Sequence, residues 1–236
     1  MGVRMSIQEL GSGGAPVLDA DLWAALCGLG HVAEYGTGEI LLFQGSASES
    51  MLLLESGLAA ISAADPAGTE LFLAFRGPGS LLGEFGYLDR RPRSAMVRAA
   101  APTLCRVVSR AVLDRFLLAD PRAGQALSAA VVAKMRAVTD RRVRYAQGRI
   151  GTRIAQVLLD HADEFGVPGP GAEVLLDVPL SQSRLADLVG ARTRIVGLEL
   201  ARLQDAGLVD TGYRSRPRRL RVLDPAGLAS RLADTA

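Results

Sequence analysis

From His31 to Val108 the chain repeats one short pattern, an apolar run of four to six residues followed by a turn residue. The runs lie at 40–43, 51–54, 59–62, 71–75, 96–99 and 103–108, separated by residues such as Gly45, Gly57, Pro66, Gly68, Gly77, Pro78 and Gly79. Segments this short and this regularly interrupted suit strands rather than helices, so the stretch predicts a β-sandwich or a rolled barrel. A short helix is expected ahead of it over 19–29, with Trp23 and Leu26 facing inward. After Pro121 the strand signals stop and a long helix is expected. Val131, Val138 and Tyr145 recur on it at heptad spacing, whereas the row through Ser128, Met135 and Arg142 has only Met135 apolar. Such a stripe suits either a coiled-coil seam or one amphipathic helix lying on its own β-domain.

The strand series is interrupted by Gly83-Glu84-Phe85-Gly86-Tyr87-Leu88-Asp89-Arg90-Arg91-Pro92-Arg93-Ser94-Ala95. Glycines lead it, so the backbone can bend sharply and come close to a ligand. Arg93 offers the planar fork that meets phosphate oxygens with paired hydrogen bonds, and the Ser94 hydroxyl and nearby backbone N–H groups are further donors. A carboxylate repels phosphate, so Glu84 is expected to face a donor such as a ribose hydroxyl. One loop would then take both halves of a sugar phosphate.

Gly-Glu, eight intervening residues and Arg-Ser-Ala, followed by Val97-Arg98-Ala99, is similar to the phosphate-binding cassette of cyclic-nucleotide-binding domains. Phe43-Gln44-Gly45, Glu55-Ser56-Gly57, Ala67-Gly68-Thr69-Glu70 and Arg153-Ile154-Ala155-Gln156-Val157-Leu158-Leu159 extend the likeness. The chain thus resembles the cyclic AMP receptor protein/fumarate-nitrate regulator (CRP/FNR) family of transcription regulators. The resemblance implies an α+β fold with a flexible N-terminus at 1–18, a cyclic-nucleotide-binding β-roll at 19–120, a dimerisation helix at 121–147 and a winged helix-turn-helix domain at 148–236. It assigns Gly83, Glu84, Phe85, Arg93, Ser94 and Ala95 to a cyclic nucleotide, Glu84 on the ribose and Arg93 with Ser94 on the phosphate. Thr139 is assigned to the base, although the family has adjacent Thr and Ser near here and this chain has Val138-Thr139-Asp140. The implied effector is cyclic AMP; cyclic GMP, another small anion or no effector at all is the alternative.

The second half carries its own signature. Ser181 is placed to cap a helix through Leu185, Leu188 and Val189, Gly190 breaks that helix, and Val196, Leu200 and Leu203 carry a second one to Gly207. Two short helices joined at a glycine, with small Ala186 between them, fit a helix-turn-helix, and runs at 208–211 and 220–223 suit the strands of a wing. The second helix is expected in the major groove, with Arg192 on phosphate, Thr193 beside it and Arg194 bidentate on a guanine. Ser181 and the wing residues Arg214, Arg216 and Arg218 complete the DNA-binding set. The family's best-known form reads its half-site with Arg, Glu and a second Arg; Thr193, Arg194 and Leu198 stand there, so that operator does not transfer. Leu198 is open between a contact to a thymine methyl and a core position, and Glu199 stands where an apolar residue is usual.

Composition bounds the rest. A chain of 236 residues that is 49% hydrophobic and 22% charged has room for two domains with cores of their own. Net charge is only +2, but the arginines at 214, 216, 218, 219 and 221 concentrate it near one end. Cys27 and Cys105 are the only cysteines, and His31 and His161 lie far apart, so neither a disulfide framework nor a metal centre is expected. Neither a catalytic constellation nor a covalently bound cofactor is expected. No membrane span or signal peptide stands out, and a cytoplasmic location is expected, with double-stranded DNA, a second copy of the chain and RNA polymerase as partners.

Overall fold

The computed structural model describes residues 18–212 and 219–233. They form, in chain order, α1 (Ala20–Leu29), β1 (His31–Tyr35), β2 (Ile40–Leu42), β3 (Ser50–Ser56), β4 (Ala59–Ala64), β5 (Glu70–Arg76), β6 (Leu81–Leu82), α2 (Glu84–Asp89), β7 (Met96–Ala99), β8 (Thr103–Ser109), α3 (Arg110–Ala119), α4 (Pro121–Ala146), α5 (Ile150–Phe165), β9 (Gly166–Pro168), β10 (Val174–Leu176), α6 (Gln182–Val189), α7 (Thr193–Asp205), β11 (Val209–Asp210), β12 (Arg221–Val222) and α8 (Pro225–Ala233). The chain separates into two compact units, 1–137 and 138–236, so the division falls inside α4 rather than at either end of it.

The first unit holds two four-stranded sheets, ordered β1-β8-β3-β6 and β2-β7-β4-β5. Strand β3 shows why they pack. Its run Met51-Leu52-Leu53-Leu54 is buried throughout, and side chains alternate between the faces of a strand. Leu52 and Leu54 join Leu41, Leu42, Leu82, Val97 and Cys105 in one core. Met51 and Leu53 join Leu22, Trp23, Leu26, Leu113 and Leu127 in the other, where α1, α3 and α4 cover the sheet. An uninterrupted apolar strand is what two covered faces require. The helix α3, for which no sequence signal was read, supplies Leu113 to that cover.

In the second unit the four-stranded sheet β11-β12-β10-β9 accompanies α5 to α8. Residues 166–168 pair with β10 as β9. The last turns of α4 are tied to α5 by Arg141–Glu164 and Arg144–Asp160, both at 2.9 Å. Tyr145 is buried there, which removes it from any seam through Val131 and Val138. The link between α4 and α5 is only 147–149, and Gly151 lies in the first turn of α5.

Candidate functional site

The cassette folds as a short helix, α2, with Gly83 before it and an extended segment after it. Gly83 is constrained twice. Its φ of +80° is left-handed, and a β-carbon there would stand 2.2 Å from Arg93 Nη1. Arg93 is in turn held from all sides. Its N–H donates to Ser46 O at 2.9 Å, and its carbonyl accepts from Gly45 N at 2.8 Å. Nη1 donates to Gly83 O at 2.7 Å and Nη2 donates to Ser50 O. Arg93 Nε is buried and has no hydrogen-bond partner. Burial lowers the pKa of this guanidinium, and the nearby Arg110 charge lowers it further. A desolvated cation with an unused donor, beside a second cation, is stabilised by an anion.

Arg110, the first residue of α3, fixes the cassette from outside. Its guanidinium donates to Ser48 O, Tyr87 O and Gly86 O at 2.7 to 3.0 Å and lies 4.9 Å from the centroid of the Tyr87 ring. Tyr87 Oη donates to Asp114 Oδ1 at 2.6 Å. Two turns of α3 thereby grip α2.

Glu84 is buried, and Lys134 of α4 holds it: Nζ donates to Glu84 Oε1 at 2.5 Å and to Leu81 O at 3.0 Å. The same ammonium lies 5.6 Å from the ring centroid of Phe85. Burial lowers the Lys134 pKa, while the Glu84 charge opposes that shift. The structure thus brings Gly83, Glu84, Phe85 and Arg93 together, with Ser94 exposed and Ala95 half-buried just beyond them. Lys134, Arg110 and Ser50 were not foreseen. One signal existed for Lys134, the only lysine in a chain whose other side-chain cations are arginines. Thr139 is exposed on α4 and belongs to the second unit.

The second set of residues also follows local rules. Ser181 Oγ accepts from Arg184 N at 3.3 Å and caps α6. Gly190, with φ +63°, ends it in the left-handed conformation. Arg153 of α5 donates to Val189 O at 2.8 Å and satisfies a terminal carbonyl of α6. Val196, Leu200 and Leu203 are the buried stripe of α7, while Arg192, Thr193 and Arg194 are exposed at its start. Ser181 and Thr193 line a cavity of about 440 Å³ with Ser183 and Thr211.

Leu198 is 53% exposed and is not a core residue. Glu199 pairs with Arg202 on the same helix. A methyl group at Gly151 would stand 3.1 Å from its Oε2, so the missing side chain in the first turn of α5 makes room for this carboxylate. That turn has no side-chain cap, and a negative charge is favoured beside a helix N-terminus. Arg219 and Arg221, counted with the basic stretch, are paired with Asp177 and with Glu173 and Asp210. Arg214, Arg216 and Arg218 lie outside the described residues. Among the described residues no group of His, Cys, Asp and Glu could hold a metal ion, and no helix is long and apolar enough to cross a membrane.

Comparison with known proteins matches residues 32–120 to the cyclic nucleotide-binding domain and residues 152–231 to the Crp-like helix-turn-helix domain. The cAMP-activated global transcriptional regulator CRP of Escherichia coli O6:H1 is 26% identical over 185 residues, covering 76% of this chain and 85% of that protein. The cAMP-activated global transcriptional regulator Vfr of Pseudomonas aeruginosa is 23% identical over 186 residues, with the same coverage, 76% and 85%. Among solved structures, a transcriptional regulator of the CRP family from Thermus thermophilus gives a TM-score of 0.71 at 23% identity over 85% of this chain and 96% of that one. The c-di-GMP responsive global regulator CLP of Xanthomonas campestris gives 0.70 at 23% identity over 87% and 99%. These two structures share the fold.

Proposed function

The chain belongs to the CRP/FNR family of DNA-binding transcription regulators with a cyclic-nucleotide-binding domain, and from that premise we propose that it works as a cytoplasmic homodimer with cyclic AMP as its effector. The observation that carries the effector site is Arg93, a buried guanidinium whose Nε has no partner. The cyclic phosphate meets that group and Ser94, and the ribose hydroxyl meets Glu84. Glu84 is already held by Lys134, so arrival of the ribose acts on a carboxylate anchored to α4. Relatives described as cAMP-activated support cyclic AMP.

Met135 and Val138 are 47% and 42% exposed on α4, and with Val131 they offer the apolar seam on which a second copy packs. The second unit then presents α7 to each half of a palindromic operator, with Ser181, Arg192, Thr193 and Arg194, and with Arg214, Arg216 and Arg218 on the wing, as its contacts. RNA polymerase is the further partner such a regulator needs. Ligand can favour DNA binding only as far as it prefers the DNA-competent state, and the coupling is reciprocal, so operator DNA tightens nucleotide binding.

Isothermal titration of the nucleotide-stripped protein with cyclic AMP and with cyclic GMP tests the effector, with Arg93→Ala as control. Micromolar or tighter cyclic AMP binding is expected. Losing one partner of a desolvated charge pair should weaken it by about 2 to 5 kcal/mol in Arg93→Ala. Equal affinity in the variant would remove the assignment. A second reading, with cyclic GMP or another anion as effector, is favoured by Val138 preceding Thr139 where the family places a hydroxyl pair. Binding of cyclic GMP alone would select it.

A further inference from the structure

We propose that Leu198 is a sequence-reading residue that packs on the C5-methyl group of a thymine in each operator half-site. This rests on the reading that α7 enters a major groove.

The buried side of α7 is complete without Leu198, because Val196, Leu200 and Leu203 fill it. Leu198 instead stands 53% exposed on the outer stripe, one turn after Arg194. Residues four apart on a helix lie about 6 Å apart along the axis and point to nearly the same side. Among the described residues Arg192 and Arg194 are in no ion pair, whereas Arg202, one turn beyond Leu198, is paired with Glu199. Cations at the start of the helix draw it to a polyanion, and the next turn meets that surface with a leucine. The preceding residue, Gly197, has no side chain, and the Gln182 side chain of α6 stands against it.

In the major groove the apolar feature of a base pair is the thymine methyl group; every other edge atom that distinguishes the pairs is a hydrogen-bond donor or acceptor. A leucine there leaves a donor or acceptor of any other base desolvated and unpaired, which penalises those bases. The rise along α7 from Arg194 to Leu198 is about two base steps of 3.4 Å. The thymine is therefore expected within about two base pairs of the guanine read by Arg194.

The test selects binding sites for the full-length protein from a randomised duplex pool, with and without cyclic AMP, and then replaces each thymidine of the enriched half-site by deoxyuridine. At one position, in each half-site, loss of the methyl group should weaken binding about fourfold, the effect of one buried methyl. Leu198→Ala should lose the preference at that position and show no further loss with deoxyuridine. Leu198→Arg should move the preference there to guanine. The assignment is overturned if deoxyuridine has no effect at any position, or if Leu198→Ala enriches the same thymine as the wild type. Failure to enrich any sequence overturns the DNA-binding reading along with it. Because Leu198 is exposed, an unchanged far-ultraviolet circular dichroism spectrum is expected for both variants, and this separates altered reading from misfolding.

Discussion

Glu84 Oε1 and Lys134 Nζ stand 2.5 Å apart, with the two side chains only 4% and 16% exposed. The carboxylate that a ribose would need is therefore clamped to the long helix by the chain's only lysine. Removing one member of a buried pair leaves the other desolvated and uncompensated, at a cost of about 3 kcal/mol. Lys134→Met is expected to lower the stability of the first unit by that amount, and adding Glu84→Gln should recover most of it. Trp23, the only tryptophan, is buried in that unit and reports its unfolding in urea by fluorescence. Additive losses in the double variant would show that the two residues are not energetically coupled.

Gly83 and Gly79 both have left-handed backbones, with φ of +80° and +85°. A β-carbon at Gly79 meets nothing within 4 Å, whereas at Gly83 it would collide with the Arg93 guanidinium. Gly79→Ala should therefore cost only the backbone penalty of about 1 to 2 kcal/mol. Gly83→Ala should show that penalty and also displace Arg93, with at least about a tenfold loss of nucleotide affinity. Titration of both variants separates the two effects, and equal affinities would mean that the position of Arg93 against Gly83 does not matter to the ligand.

The sequence made most of this architecture readable because its signals are local. Glycine-bounded apolar runs mark strands, and the Ser181 cap and the Gly190 break mark α6. What stayed hidden depends on groups far apart in the chain. Arg110 is an ordinary surface-type residue until folding sets it against three carbonyls of 48, 86 and 87. Lys134 meets Glu84 from 50 residues away. Strand β9 has a glycine and a proline in three residues, so local propensity reads it as a loop and only pairing with β10 makes it a strand. Glu199 broke the apolar pattern of α7 because it pairs with Arg202 and stands against Gly151 of another helix, which no periodicity displays.

That placement of Glu199 carries its own expectation. A charge at the uncapped first turn of α5, together with its exposed pair to Arg202, is worth about 0.5 to 1 kcal/mol at low ionic strength, and salt screens both. Glu199→Gln keeps the shape and removes the charge. Calorimetric unfolding of the full chain should show the second unit destabilised by that amount in dilute buffer, with the difference nearly gone in about 1 M salt. A salt-independent difference would assign the effect to packing against Gly151 instead.

His161 is 3% exposed, and its Nδ1 lies 2.8 Å from Val157 O, so in the neutral ring that nitrogen donates. Burial, with the Arg141 charge in support, pushes its pKa down from 6.5 to about 4, against the opposing pull of the Val157 carbonyl and Asp160. Between those two values the unfolded chain binds a proton that the folded chain refuses, so stability must fall with pH. The contribution is fully present above about pH 6.5 and is lost as pH drops through about 4, in total about 3 kcal/mol. Carboxylates also titrate near the lower end, and the informative quantity is therefore the difference between wild type and His161→Gln. The variant should start less stable at about pH 7, because it loses packing, and should lose less as pH is lowered to about 4.5, so that the two denaturation midpoints converge. Parallel curves would mean that His161 has the same pKa in the folded and the unfolded chain.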